Sequence, residues 1–121
     1  MKGVPSSRQL KVGELIKRAL SEIFAPGFLD VELFNMVSFT EARVNADLQS
    51  ALVFVDSLNN IDAVLRELEK HKNAIRRELA RRVDLKFIPN LNFKADKSAE
   101  YAKKIEDLIA SPEVQQTLDQ D

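Results

Sequence analysis

Ala51-Leu52-Val53-Phe54-Val55 is an unbroken apolar run. A strand of that composition is apolar on both faces, so it belongs at the centre of a sheet or beneath a covering layer. The residues around it supply its neighbours. Val37 and Phe39 alternate with polar residues, and Ala42 and Val44 alternate in the opposite phase. A continuous strand keeps one phase, so the slip around Thr40–Glu41 predicts a bulge. Asn45-Ala46-Asp47 offers a turn, which makes strands between Leu33 and Val55 into a hairpin. Further on, Leu85, Phe87, Leu91 and Phe93 share one parity against Lys86, Asn90, Asn92 and Lys94. That is a third strand with one buried face. Pro89 lacks a ladder donor, which places this strand at an edge or bulges it locally. The stretch between the hairpin and this strand exceeds the dozen or so residues that a parallel connection needs.

Helical periodicity fills the remainder. Ser6 followed by Gln9 is a capping box, and Val12, Leu15, Ile16, Ala19, Leu20 and Ile23 recur at helical spacing until Pro26-Gly27. Lys11, Glu14, Lys17, Arg18 and Glu22 form the polar face of this first helix. Asn59 or Asn60 can cap a second helical run with Ile61, Val64, Leu65, Leu68, Ile75, Leu79 and Val83 as core positions. Straight, its 23 residues would extend about 35 Å. A compact domain of this length has a radius of gyration near about 14 Å. His71-Lys72-Asn73 interrupts the apolar stripe and is where a bend is expected, with Asn73 favoured because Asn tolerates left-handed backbone. Asp96 or Ser98 can cap a last helix carrying Tyr101, Ile105, Leu108 and Ile109, ended by Ser111-Pro112 and followed by a polar, acidic tail. The order α-β-β-α-kink-α-β-α reads as an α+β domain, a three-stranded sheet with helices on one side.

Composition narrows the function classes. With 121 residues, 45% hydrophobic and 31% charged, the chain suits one domain with a sizeable core. It has no cysteine, no apolar run near the roughly 18 residues of a membrane span, and no signal-like start. A cytoplasmic address is expected. His71 is the only histidine, Asp47 and Asp96 sit in turn or cap positions, and Gly3, Gly13 and Gly27 are too scattered to cradle a phosphate. No P-loop, dinucleotide-binding or zinc-protease spacing occurs. The expectation is a protein that is not an enzyme and carries neither metal nor cofactor. The net charge of −1 conceals segregation: residues 1–21 hold five bases and one acid, 22–62 one base and seven acids, and 63–86 eight bases and four acids. A basic face can bind a polyanion even when net charge is near zero. The pI of 5.9 is nonetheless low for a nucleic-acid binder.

Three stretches carry a family resemblance: RQLKVGELIKRALSEIF at residues 8–24, VSFTEARVNADLQSALVFV at 37–55, and IRRELARRVDLKFIPNLNFKADKS at 75–98. Together they resemble ribosome-binding factor A over roughly residues 8 to 110. The third is the most specific, with Ile75-Arg76, Leu85, Pro89, Leu91, Phe93, Asp96 and Ser98 at the family's spacings. The resemblance implies a type II KH-like fold, with residues 1–96 as the RNA-binding domain and 97–121 as a C-terminal helix and flexible acidic tail. It implies a cytoplasmic, monomeric assembly factor that binds the precursor small (30S) ribosomal subunit and promotes late maturation and processing of 16S rRNA. Release would be linked to assembly GTPases. The family's Ala-x-Gly signature at the helix kink is replaced here by His71-Lys72-Asn73.

On that reading the kink brings basic faces together, and the start of the helix after it favours phosphate through its free N–H groups and dipole. Lys72, Asn73, Arg76, Arg77 and Arg81 would hold an RNA backbone, since arginine can fork to phosphate. Arg82, near the core edge, would snorkel. Arg8, Lys11, Lys17 and Arg18 on the first helix are a second candidate set. The same arginines also read as a solvated charged face with Glu78 and Glu67 as internal partners. The seven phenylalanines mostly have core spacing and do not read as a base-stacking platform, so recognition by RNA shape and phosphate is expected. The competing reading is an acidic protein-interaction adaptor of α+β fold without direct RNA binding.

Overall fold

The computed structural model describes residues 3–110. Helix α1, Ser7–Phe24, starts at the expected capping box. The Gln9 N–H donates to Ser6 Oγ at 3.1 Å, and the Ser6 N–H donates back to Gln9 Oε1 at 2.8 Å. Gln9 Nε2 also donates to the Val44 carbonyl at 2.9 Å, tying the helix start to the hairpin. Ile16, Leu20 and Ile23 are fully or almost fully buried, whereas Leu15 is 40% exposed and leaves the expected core set. Gly13 has a packing reason. A Cβ there would lie 2.5 Å from the Ala42 carbonyl oxygen, so only glycine allows α1 to approach the sheet this closely.

Residues 33–36 are not strand. Glu32–Met36 forms a 3₁₀ turn that drops Phe34 into the core. Phe24 meets Phe34 at 5.0 Å and Phe39 at 4.8 Å between ring centroids, both edge-on. Leu29 and Asp30, with φ of 60° and 53°, turn the chain sharply before this cluster. Aromatic packing therefore overrides the strand pattern locally.

Strands β1 (Val37–Val44) and β2 (Ser50–Ser57) pair antiparallel, and the register shifts between Phe39 and Glu41 as the phase slip predicted. Strand β3 (Asn90–Ala95) pairs parallel with β2, giving the order β1-β2-β3 with the apolar run in the centre. Thr40, set free by the bulge, donates from Oγ1 to Asp96 Oδ2 at 2.5 Å. Asp96 donates its N–H to the Val55 carbonyl at 2.8 Å. The bulge thus anchors the far end of β3 across the central strand.

Ala51, Val53, Val55 and Leu91 point to one face and are buried against α1 and the two helices that follow the hairpin, α2 (Ile61–Lys70) and α3 (Lys72–Arg82). Asn60 Oδ1 caps α2 by accepting the Ala63 N–H at 3.1 Å. The third strand is shorter than its sequence pattern. Leu85 is half-buried, Phe87 is 56% exposed, and pairing begins only after buried Pro89. The last helix, α4 (Ser98–Ala110), has no buried residue, and Tyr101 is 68% exposed. The acidic tail and the expected stop at Ser111-Pro112 lie outside the described residues.

Candidate nucleic-acid interface

The helix break falls at His71, not at Asn73. His71 adopts φ −103°, ψ 16°, in the bridge region, while Asn73 sits inside α3 with no left-handed backbone. The inward-facing row continues through the break, with His71 and Lys72, both only partly exposed, in the next positions after Leu68. The His71 ring packs edge-on to Phe34 at 5.9 Å, and its Nε2 lies 3.3 Å from Glu67 Oε2. The His71 N–H donates to the Glu67 carbonyl, and its own carbonyl accepts from Ile75. Two short helices result: α2 lies over β2 and β3, and α3 turns to pack against α1. No side chain caps α3 and its first turn holds no acid, so that end remains favourable for an anion.

The basic residues after the break have different surroundings. Lys72 is held by Glu69 at 2.7 Å, with its side chain only 17% exposed. Arg76 points back into the fold: Nε donates to the Pro89 carbonyl at 3.2 Å and an NH2 group to the Ile88 carbonyl at 2.7 Å. That side chain fastens α3 to the connection before β3. Arg81 and Arg82 share Glu78, at 3.5 and 3.3 Å. Arg77 is exposed and has no ion-pair partner among the described residues. Asn73, Arg76, Arg77, Ala80 and Ile88 line one shallow depression of about 360 Å³.

On α1 the division recurs. Lys17 and Arg18 both face Glu14, at 3.8 and 4.0 Å. Arg8 and Lys11 are exposed and unpaired among the described residues. Because α1 packs on α3, these two sets occupy adjoining helices. Beside Arg8 opens a second cleft of about 350 Å³, bounded by Val12 and by residues of the β1–β2 turn and the α3–β3 connection, including Lys86 and Phe87. Sequence parity assigns Lys86 and Phe87 to the two faces of a strand, whereas pairing begins only at Asn90. The signal against that was Pro89, whose missing N–H lets pairing start only beyond it.

Other surface chemistry is local. Arg43 pairs with Glu41 at 3.1 Å and lies 4.9 Å over the Phe54 ring on the open face of the sheet. The hydrogen bond and charge of Glu41 hold the Arg43 pKa above its ordinary value. The Asp96 pKa is lowered, first by the Ser98 hydroxyl, then by the Thr40 hydroxyl and the Ser98 N–H. Among the described residues no cluster of histidine or carboxylate side chains suits a metal ion, and no helix is long and apolar enough to cross a membrane.

Residues 8–109 match the sequence model of ribosome-binding factor A. A ribosome-binding factor A from Beijerinckia indica is 37% identical, over 97% of this chain and 86% of that relative. The crystal structure of ribosome-binding factor A from Thermus thermophilus superposes with a TM-score of 0.65 at 24% identity, over 72% of this chain and 94% of that one. A homology model of the Thermus thermophilus factor, fitted into a cryo-electron microscopy map of a 30S complex, gives 0.61 at 24% identity, over 71% and 92%. The structural likenesses establish the shared fold.

Proposed function

The chain belongs to the ribosome-binding factor A family, and from that membership we propose that it is a non-enzymatic, cytoplasmic assembly factor for the small ribosomal subunit. It binds the precursor 30S particle as a monomer, favours the mature conformation of 16S rRNA during late processing, and leaves with the help of assembly GTPases. Residues 1–96 are the RNA-binding KH-like unit, and 97–121 form an appended helix and acidic tail. Binding alone can do this work: a factor shifts an RNA equilibrium by its differential affinity for the two states.

The observation that carries the reading is the family match over residues 8–109. The fit of the Thermus factor's homology model into the map of a 30S complex supports the choice of particle. Of the basic residues that the sequence singles out on α1 and α3, Arg8, Lys11 and Arg77 are the ones best able to contact phosphate: none is neutralised by a described carboxylate and none is turned into the fold. Arg76 serves the fold first and Lys72 its own turn.

The test is co-sedimentation with purified small and large subunits at low and moderate salt, beside an Arg8→Glu/Lys11→Glu/Arg77→Glu variant checked by circular dichroism. Salt-sensitive binding to the small subunit alone, lost in the variant, is expected. A wild-type protein that ignores the small subunit would overturn the proposal and favour the acidic adaptor.

A further inference from the structure

The cleft beside Arg8 has a composition that phosphate binding does not explain. We propose that it receives one unstacked RNA base, stacked on Phe87, with the adjoining phosphate held by Arg8 and Lys86. This deepens the RNA-binding reading above and rests on it for the choice of ligand.

Phe87 is the centre of the argument. Its parity with Leu85, Leu91 and Phe93 suits a core residue, yet pairing starts after Pro89 and the ring is left 56% exposed. It is the most exposed of the large aromatic side chains outside α4. The ring does not stand alone on a convex surface. It borders a cleft of about 350 Å³ whose walls include Leu48 and Leu85. That volume is at the small end of ligand sites, which run from about 300 Å³ upward. It suits a single nucleoside and excludes a stacked duplex.

The rim supplies the rest. Arg8 enters from the first turn of α1 and Lys86 from the α3–β3 connection, and neither has a carboxylate partner among the described residues. Asp47 is the one acid bordering the cleft, and its Oδ1 already accepts the Gln49 N–H at 3.0 Å. An aromatic ring and two unneutralised cations lining one cleft match the way proteins hold single-stranded RNA, by stacking on a π-face and pairing with the backbone. An apolar side chain alone would fill the walls and leave both cations unanswered, whereas a nucleotide brings a ring and an anion in one unit.

The chain contains no tryptophan, so Phe87→Trp places a single fluorescent reporter at the site. Its emission is titrated with hexauridylate, hexaadenylate, an RNA duplex and heparin. In parallel, wild type, Phe87→Ala and Phe87→Tyr are compared for hexanucleotide and small-subunit binding across salt. Quenching by single strands but not by duplex or heparin is expected. Phe87→Ala should weaken single-strand and small-subunit binding by about 5-fold to 150-fold with an unchanged salt slope, and Phe87→Tyr should retain it. Equal quenching by heparin, or unaltered hexanucleotide affinity in Phe87→Ala, overturns the base site. Loss of small-subunit binding in Phe87→Ala without any quenching by RNA would assign the cleft to a protein partner instead. If wild type fails to bind the small subunit while single strands still quench, the ribosomal reading falls and the base site stands.

Discussion

Helix α3 carries four arginines in seven residues, and the ground around the start of α1 carries, among the described residues, Arg8, Lys11 and the nearby Lys86. Apart from Arg77, which is exposed and unpaired among the described residues, the denser cluster is the less available one. Arg76 is turned inward to two carbonyls, and Arg81 and Arg82 share one glutamate. Arg8, Lys11 and Lys86 have no such partner among the described residues. Charge counted along a sequence therefore measures something different from charge offered to a ligand. A surface arginine with a carboxylate neighbour keeps most of its solvation but gives up much of its field.

The largest effect that bears on this contrast is on stability. Arg76→Ala removes two charge-assisted hydrogen bonds and leaves the Ile88 and Pro89 carbonyls without their donor. It should cost about 2 kcal/mol in urea unfolding; a change below about 0.5 kcal/mol would return Arg76 to the ligand-binding set. Next comes Arg8→Ala/Lys11→Ala. If each makes one phosphate contact, the log–log salt slope of small-subunit binding should flatten by about 1.4 to 1.8. An unaltered slope would break the comparison at its stronger end. Arg81→Ala should be quieter, with stability within about 0.5 kcal/mol and little change in slope, since Glu78 already engages that side chain. A slope change as large as that of the double variant would erase the distinction between paired and unpaired cations.

The smallest effect concerns Asp96, the paired carboxylate that holds the sheet rather than a ligand. Its pKa is lower in the fold than the unfolded value near about 3.9. The stability it contributes is therefore present above that value and declines as pH falls through the folded value beneath it. Urea midpoints measured from about pH 6 down to about pH 2.5 should fall more steeply in acid for wild type than for Asp96→Asn. Parallel curves would remove Asp96 from the anchoring role.

What could be read in advance divides along the same line between local and distant causes. The Ser6–Gln9 box, the slip at Thr40, the Asn60 cap and the central position of residues 51–55 are consequences of chemistry a few residues apart, and period and capping rules reach that far. Phe34 leaves the strand pattern because it joins an aromatic cluster with Phe24 and Phe39, rings that belong to the preceding helix and the following strand and that alternation within one strand does not take into account. The bend sits at His71 because the ring finds Phe34 and Glu67, and the left-handed tolerance of Asn73 is never used. Sequence spacing groups Arg76 with the ligand-binding arginines because its acceptors lie 12 and 13 residues away, in a connection whose pattern is that of a strand. The cleft at Phe87 needed three separate segments brought together, which no single window of sequence displays.

Gln9 fastens the first turn of α1 at both ends, to Ser6 within the helix and to Val44 in the hairpin. A free helix end frays, and a cation on it samples many orientations before any partner arrives. Arg8 lies between Ser6 and Gln9, so its backbone is already confined when the domain folds. The conformational entropy of that turn is lost in folding rather than on meeting the proposed ligand. A single amide thus makes the edge of the cleft rigid in advance, and its removal should show as faster amide exchange at the helix start and a slower, weaker grip on the ligand without any change in charge.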